Sequence, residues 1–557
     1  MRLLSSRVSI VVVLVLLLAF RLGIGLSKEL FTDDESQIYL LGLRYHTTHQ
    51  WPYFGPDVVW TRSEIPGALQ ALLVGLPLDI APVPEAPYVL VNVLSMAALC
   101  LFAAYVSARL PTVPRWLIWS WLLTLPWTLE YSTHILNTSY VLPASVVFFV
   151  GFFEALPSLS IGRVPARLAY LMMGAAIGWI AQIHMSWPLL LPFAGLAFLA
   201  RLRAGAKAIA MSAAAFAIGL VLTGSLVIPT LLHDTLARGG GTEESLLIHW
   251  RNPVTTLANT IGRMLSFASF EVGRFIRSAG GGNPIVLLSE RWWLVPIAGV
   301  VWIAGIVHPV WMAATAFRRR SPLGEWPIVR WLAVGTAVMV ATAFFFVMEP
   351  AQARSFYVVA PVAFLFAAYC WTFVDSPRWR TVAAVVLAVN VVFQAALAIV
   401  RLDGPSLYMN RAVVSEAIRL DRPTLFAHRR EWARGVPASE RMSPEASHAA
   451  LTDLHVTASR LDVIRGVTAW TVVVENRSTT VGYRSMVCGT RYYDAAGTLI
   501  DEHTVEVWNV VQPGESVQTR LIDSGRTGPE VARREVVILS AQPVAALPQN
   551  AASGRQP

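Results

Sequence analysis

Along residues 1–401 the chain alternates between long, nearly unbroken apolar runs and short polar connections, whereas from about residue 451 apolar positions recur at every second residue. A helix of roughly 20 apolar residues crosses a hydrocarbon core. The pattern predicts such helices near 8–26, 87–108, 115–129, 139–156, 167–184, 187–201, 208–230, 291–314, 329–347, 355–374 and 379–400, about eleven crossings. Arg2 and Arg7 precede the first run and no small-x-small cleavage site follows it, so it reads as an uncleaved span.

Basic residues mark the cytoplasmic ends of spans. Every second connection is Arg-rich: Arg109 and Arg115, then Arg163 and Arg167, then Arg201, Arg203 and Lys207, then Arg318 to Arg320 and Arg330, then Arg378 and Arg380. The N-terminus joins that set and is expected in the cytoplasm of a multi-pass inner-membrane protein. Segments 27–86 and 231–290, the turns at 130–137, 184–187 and 349–354, and everything after 401 are expected on the extracytoplasmic side.

Residues 402–450 read as a polar linker. From 451 to 545, alternating runs such as Ala469 to Val474 and Thr504 to Trp508 are separated by turn residues at Asn476, Asp494 to Gly497 and Pro513-Gly514. Period two with regular turns predicts a small antiparallel β-sandwich, followed by a disordered tail at 546–557. The β region shows no catalytic constellation and is expected to be structural or to serve in docking.

Composition sharpens this picture. Of 557 residues, 55% are hydrophobic and only 14% charged, too few polar side chains to cover a soluble fold. The net charge of +9 sits mostly between spans, so it argues for a membrane and not for nucleic acid. Three cysteines are too few for a disulfide framework. Walker loops, dinucleotide fingerprints, HExxH pairs and Cys/His zinc spacings are missing from the sequence.

The candidate chemistry lies on the extracytoplasmic side. Asp33, Asp34 and Glu35 open a stretch with Leu40, Leu41, Arg44 and Tyr45 at helical spacing. Thr32 and Glu35 fit a capping box. Clustered carboxylates near hydrocarbon also repel one another and lose hydration, which suits one of them to act as a general base. His184, in Gln182-Ile183-His184-Met185-Ser186-Trp187-Pro188, is placed to bind a donor or acceptor hydroxyl, and Arg354 to grip a phosphate. His134 and Asn137 are lesser candidates, and Arg251, Arg263, Arg274 and Arg277 between two Gly-Gly-Gly runs suggest a basic lid.

An Asp34-Glu35 pair after a first span, a Trp51-Pro52 turn and Pro66 leading into a short apolar helix resemble, in that order, the polytopic GT-C type glycosyltransferases, the group of protein O-mannosyltransferases and lipid A aminoarabinose transferases. The resemblance implies a GT-C-like membrane domain over 1–401, a polyprenyl-phosphate-linked sugar donor, and Asp34 as the base that activates an extracytoplasmic glycan, lipid or protein acceptor. Glu35 would orient that base or help to hold a divalent metal, and the displacement would invert the anomeric centre. Where the family often carries a Lys-Pro-Pro-Leu-like stretch this chain reads Glu64-Ile65-Pro66-Gly67, so the cation for the lipid phosphate is sought at Arg62 or Arg354. The alternatives are a lipid or solute transporter, which needs charges inside spans and half-to-half symmetry, and a non-enzymatic envelope scaffold.

Overall fold

The computed structural model describes residues 7–27, 33–57, 64–233, 253–271, 288–318, 323–346, 351–374, 376–402, 452–464, 467–507, 511–523 and 531–545. The expected linker at 403–450 and tail at 546–557 lie outside them. The chain divides into two compact units, Met1–Arg422 and Pro423–Pro557.

The first unit is helical. Among the described residues, eight helices of 18 to 27 residues are long and apolar enough to cross a membrane: Ala86–Arg109, Asn137–Ala155, Trp187–Ala204, Ala206–Leu232, Leu294–Ala316, Trp326–Ala343, Arg354–Trp371 and Pro377–Arg401. Val11–Leu26, Leu69–Ile80 and Ala166–Ile180 are shorter apolar helices. Large apolar side chains stand outward on several of them, including Val15, Leu222, Val310 and Ile399, an arrangement that water disfavours and hydrocarbon does not.

Elements are numbered in chain order: α1 (Arg7–Leu26), α2 (Asp33–Thr48), a hairpin of β1 (Phe54–Asp57) and β2 (Glu64–Pro66), α3 (Leu69–Ile80), α4 (Ala86–Arg109), α5 (Arg115–Thr124), α6 (Pro126–Glu130), α7 (Asn137–Ala155), α8 (Ala166–Ile180), α9 (Leu191–Arg201), α10 (Ala206–Gly224), α11 (Ile228–His233), α12 (Pro253–Phe267), α13 (Leu294–Ala316), α14 (Trp326–Ala343), α15 (Ala360–Trp371) and α16 (Pro377–Leu402). Helices α8 and α10 approach at backbone distance. A Cβ on Gly174 would stand 2.0 Å from the Phe216 carbonyl oxygen and one on Gly219 2.1 Å from that of Leu171, so only glycine fits either contact.

The run predicted as one helix over 115–129 is two helices broken at Leu125, which takes φ −55° and ψ 139°. Proline explains the break: a residue before it is pushed out of the helical region, and Pro126 has no N–H to offer the Leu122 carbonyl. Three carbonyls near the break find side-chain donors instead. The Thr128 hydroxyl donates to Leu122 at 2.8 Å, Arg21 Nη1 to Leu123 at 2.7 Å, and Asn390 Nδ2 to Thr124 at 2.7 Å. Arg21, fully buried in α1, also reaches the Thr128 carbonyl and the Ser132 hydroxyl.

At the opposite end of α4 and α7, Glu154 gathers the loop after it. Its oxygens accept from the Tyr105 hydroxyl at 2.9 Å and from the backbone N–H groups of Ile161 at 3.1 Å and Arg163 at 3.0 Å. Arg109 bridges this cluster to Glu325 at 2.8 Å. Of the segment expected as a basic lid, residues 253–271 are described. Helix α12 packs against α13, α14 and α15, and Leu257, Ile261 and Met264 line a groove shared with Ala333, Ala337 and Phe366.

Among the described residues the second unit holds six strands: β3 (Leu454–Ile464), β4 (Val467–Asn476), β5 (Val481–Tyr493), β6 (Leu499–Val507), β7 (Ser516–Asp523) and β8 (Arg533–Ala545). They form two three-stranded antiparallel sheets, ordered β3-β4-β7 and β6-β5-β8. Alternate residues Trp470, Val472 and Val474 from one sheet share a buried cluster with Tyr483, Met486, Cys488 and Val536 from the other. Buried Asn476 ties the turns together, donating to the Val481 carbonyl at 2.8 Å and that of Val511 at 3.0 Å while its Oδ1 accepts the Ser478 N–H at 3.0 Å. Two of the turns read from the sequence, at Asn476 and at Pro513-Gly514, therefore meet: Asn476 N–H donates to the Glu515 carbonyl at 2.9 Å and Gly514 N–H to the Asn476 carbonyl at 3.0 Å.

Replacing Arg21 by Leu leaves the Leu123 carbonyl buried without a donor, at a cost of about 1–3 kcal/mol. Thermal unfolding of the purified protein in detergent is expected to show a clear loss for Arg21→Leu and a smaller one for Arg21→Lys, which retains a donor.

Candidate functional site

Helix α2 carries the acidic segment. Residues 37–44 are all buried, so this stretch of the helix is covered by protein on every side. It packs on α3, where Val74 presses against Gly42, and the Tyr39 hydroxyl donates to the Pro84 carbonyl at 2.9 Å.

Glu35 is 2% exposed, and its Oε1 accepts from the Tyr88 hydroxyl at 2.8 Å and from the Ile135 N–H at 3.3 Å. A carboxylate withdrawn from water requires donors of this kind. Their source is instructive: Tyr88 stands in the first turn of α4, and Ile135 in the segment that the broken helix delivers. Asn92, one turn beyond Tyr88, fixes that segment by donating to the Thr133 carbonyl at 2.7 Å.

Of the residues singled out in the sequence, the side chains of Asp33 and Asp34, and all of Thr32 and Arg62, lie outside the described residues, as do Arg251, Arg274 and Arg277. The backbone of Asp33 and Asp34 forms the start of α2. His134 is buried next to Ile135. Asn137 opens α7, where its Oδ1 accepts from Gln70 Nε2 at 2.7 Å. Arg263 pairs with Glu271 at 2.9 Å, and Glu271 also accepts from Trp127 Nε1 at 3.2 Å, which fastens the end of α12 to α6.

His184 and Arg354, read separately from two distant turns, lie within electrostatic reach of each other. The 3-10 turn Trp187–Leu190 packs against the 3-10 turn Arg354–Val359, and helix α7 packs on the latter as well. The Ser186 N–H donates to His184 Nδ1 at 3.1 Å, and the Ser186 hydroxyl lies 2.9 Å from the same atom. A ring nitrogen that accepts an N–H is unprotonated, so the neutral imidazole, assigned from this bond, carries its proton on Nε2. Burial, and secondarily the Arg354 guanidinium, push His184 down to about 4. The pair thus offers one permanent cation and one neutral N–H donor, a combination that binds an anionic oxygen without a second full charge.

Among the described residues no three His, Cys, Asp or Glu converge in the way a metal ion requires. No protein-family model matches the chain, and no curated protein matches it.

Tyr88 and Arg21 were not legible as site or support residues, because each is one polar group in an apolar run and reads as core. The available signal was that polarity itself: a polar group at hydrocarbon depth must be matched by another.

Because His184 is lowered relative to the unfolded chain, the folded state loses stability as the pH falls from about 6.5 toward about 4 and is indifferent to this group above that window. A carbon-13 NMR titration of labelled histidine is expected to place the His184 midpoint near 4. Arg354→Ala should raise it only part of the way back, since burial is the larger cause.

Proposed function

We propose that the chain is a multi-pass glycosyltransferase of GT-C type that moves a sugar from a polyprenyl phosphate to an extracytoplasmic acceptor. The observation that carries this reading is the pairing of His184 with Arg354 against α7, the helix that begins two residues after the Ile135 N–H holding Glu35. A cationic, donor-rich end and an acidic end built around one helix are the two halves that phosphate departure and hydroxyl activation require.

In this reading Asp34 removes the proton from the acceptor hydroxyl, and the oxygen attacks the anomeric carbon from the face opposite the phosphate. The bond from that carbon to the phosphate oxygen breaks, its electron pair leaves with the polyprenyl phosphate, and the configuration inverts. Arg354 and the Nε2–H of His184 receive the departing charge, with Arg62 as a further cation. Glu35, anchored by Tyr88 and Ile135, fixes the first turn of α2 and so the position of Asp34. A divalent metal at the acidic end belongs to the same proposal.

The arrangement assigned to the membrane is eleven crossings in the inner membrane with a cytoplasmic N-terminus. The two sheets of the second unit form an extracytoplasmic β-sandwich. The transporter reading draws little support from the buried charges that are described, since Arg21 and Glu154 are held by fixed partners at a helix break and a loop.

General-base catalysis typically contributes 10²- to 10⁴-fold. In membranes supplied with a polyprenyl-phosphate sugar, Asp34→Asn is expected to reduce transfer by about that range, and Arg354→Ala to raise the donor KM. Undiminished transfer by Asp34→Asn would remove that residue from the mechanism.

A further inference from the structure

Two open grooves flank α14 along the same stretch of its length. One, of about 640 Å³, is walled by α12, α13 and α15 and lined along α14 by Arg330, Trp331, Val334 and Val338. The other, of about 580 Å³, is walled by Leu156 and Leu159 after α7 and by Phe193 and Leu196 of α9, and is lined along α14 by Ile328, Trp331, Gly335 and Met339. Trp331 belongs to both, and at 64% exposure it is the ridge between them. Arg330 is the one charged residue in either wall among the described residues. Thr336 contributes no free hydroxyl, since it donates to the Leu332 carbonyl at 2.7 Å.

One end of the pair is basic. Arg330 Nη1 donates to the Arg318 carbonyl at 3.4 Å, and the Arg330 guanidinium lies 5.2 Å from the centre of the Trp331 ring, so this cation leans on the ridge. Arg318 is exposed next to Phe317, which lines the first groove. Among the described residues neither arginine pairs with a carboxylate. Glu325, close by in sequence, is held instead by Arg109 at 2.8 Å and by the Tyr369 hydroxyl. Helix α15 separates this end from the His184–Arg354 pair: the Arg354–Val359 turn leads into its first residue, and Phe373, beyond its last, lies 5.6 Å from the Arg318 guanidinium. Twelve residues of helix span about 18 Å.

The geometry selects an occupant. Two apolar grooves side by side, with two guanidinium groups at one end that have no carboxylate, match a molecule with two hydrocarbon chains and one anionic phosphate. A polyprenyl phosphate has a single chain and leaves one groove empty. A zwitterionic lipid brings an ammonium that the arginines repel.

We infer that α14 carries a binding site for one anionic diacyl glycerophospholipid, its two chains lying in the grooves on either side of Trp331 and its phosphate at Arg330 and Arg318.

Native mass spectrometry of the full-length protein in detergent, titrated with phosphatidylglycerol, phosphatidylcholine or undecaprenyl phosphate, reads the bound lipid and the oligomeric state together. Phosphatidylglycerol is expected to bind about tenfold more tightly than phosphatidylcholine, and Arg330→Gln to weaken it about fivefold while leaving phosphatidylcholine unchanged. Gly335 is exposed, and a Cβ there meets open space. Gly335→Leu therefore obstructs one groove without a clash: it should retain the melting temperature, weaken phosphatidylglycerol several-fold and leave single-chain lysophosphatidylglycerol unaffected. Equal affinity for phosphatidylglycerol and phosphatidylcholine, displacement of phosphatidylglycerol by undecaprenyl phosphate, or a lipid-free dimer overturns the site. So does a Gly335→Leu protein that binds phosphatidylglycerol as tightly as the unaltered one. None of these results bears on transfer at the His184–Arg354 end, which Asp34→Asn tests separately.

Discussion

Backbone carbonyls that lose their amide partners in a low-dielectric interior must be given others, and at the Leu125–Pro126 break this necessity organises one end of the helical unit. Arg21 from the first helix, Asn390 from the last and Thr128 from within the break each satisfy one carbonyl. The chain thereby leaves the path of a straight helix, and residues 131–136 are carried across to α2. There the Ile135 N–H meets Glu35. A proline with no hydrogen to donate is in this sense the origin of the site's acidic end.

The other end of the site follows from burial. Burial, and secondarily the Arg354 guanidinium, lower His184, so the imidazole is neutral near pH 7. Under the proposed function, a fixed cation assisted by neutral donors receives the departing phosphate oxygen with one charge withdrawn from water instead of two. Helix α7 connects the two ends, touching the 354–359 turn and beginning next to the segment that holds Glu35.

Much of the helical unit was legible because hydrophobic length is a direct readout of what a bilayer demands: the run at 87–108 is the helix Ala86–Arg109. Alternation at Trp470, Val472 and Val474 likewise marked the strand whose inward face carries those residues. The break inside 115–129 escaped because counting apolar residues is blind to the missing amide of Pro126. The candidate site was legible in its parts but not in its pairings. His184 and Arg354 stand out as polar residues at turns, while their convergence depends on how two 3-10 turns pack. Tyr88 reads as one more aromatic in an apolar helix, and only the tertiary structure shows it donating to Glu35.

The central claim is that one end of the helical unit receives a lipid-linked sugar with its phosphate at the His184–Arg354 pair and its sugar toward the start of α2 and α7. A cryo-electron microscopy map of the protein with a non-hydrolysable polyprenyl-phosphonate sugar tests it directly. The account predicts phosphonate density between the two 3-10 turns and ring density near Glu35. Density for the head group at the Arg109–Glu325 end of the helices instead would contradict it.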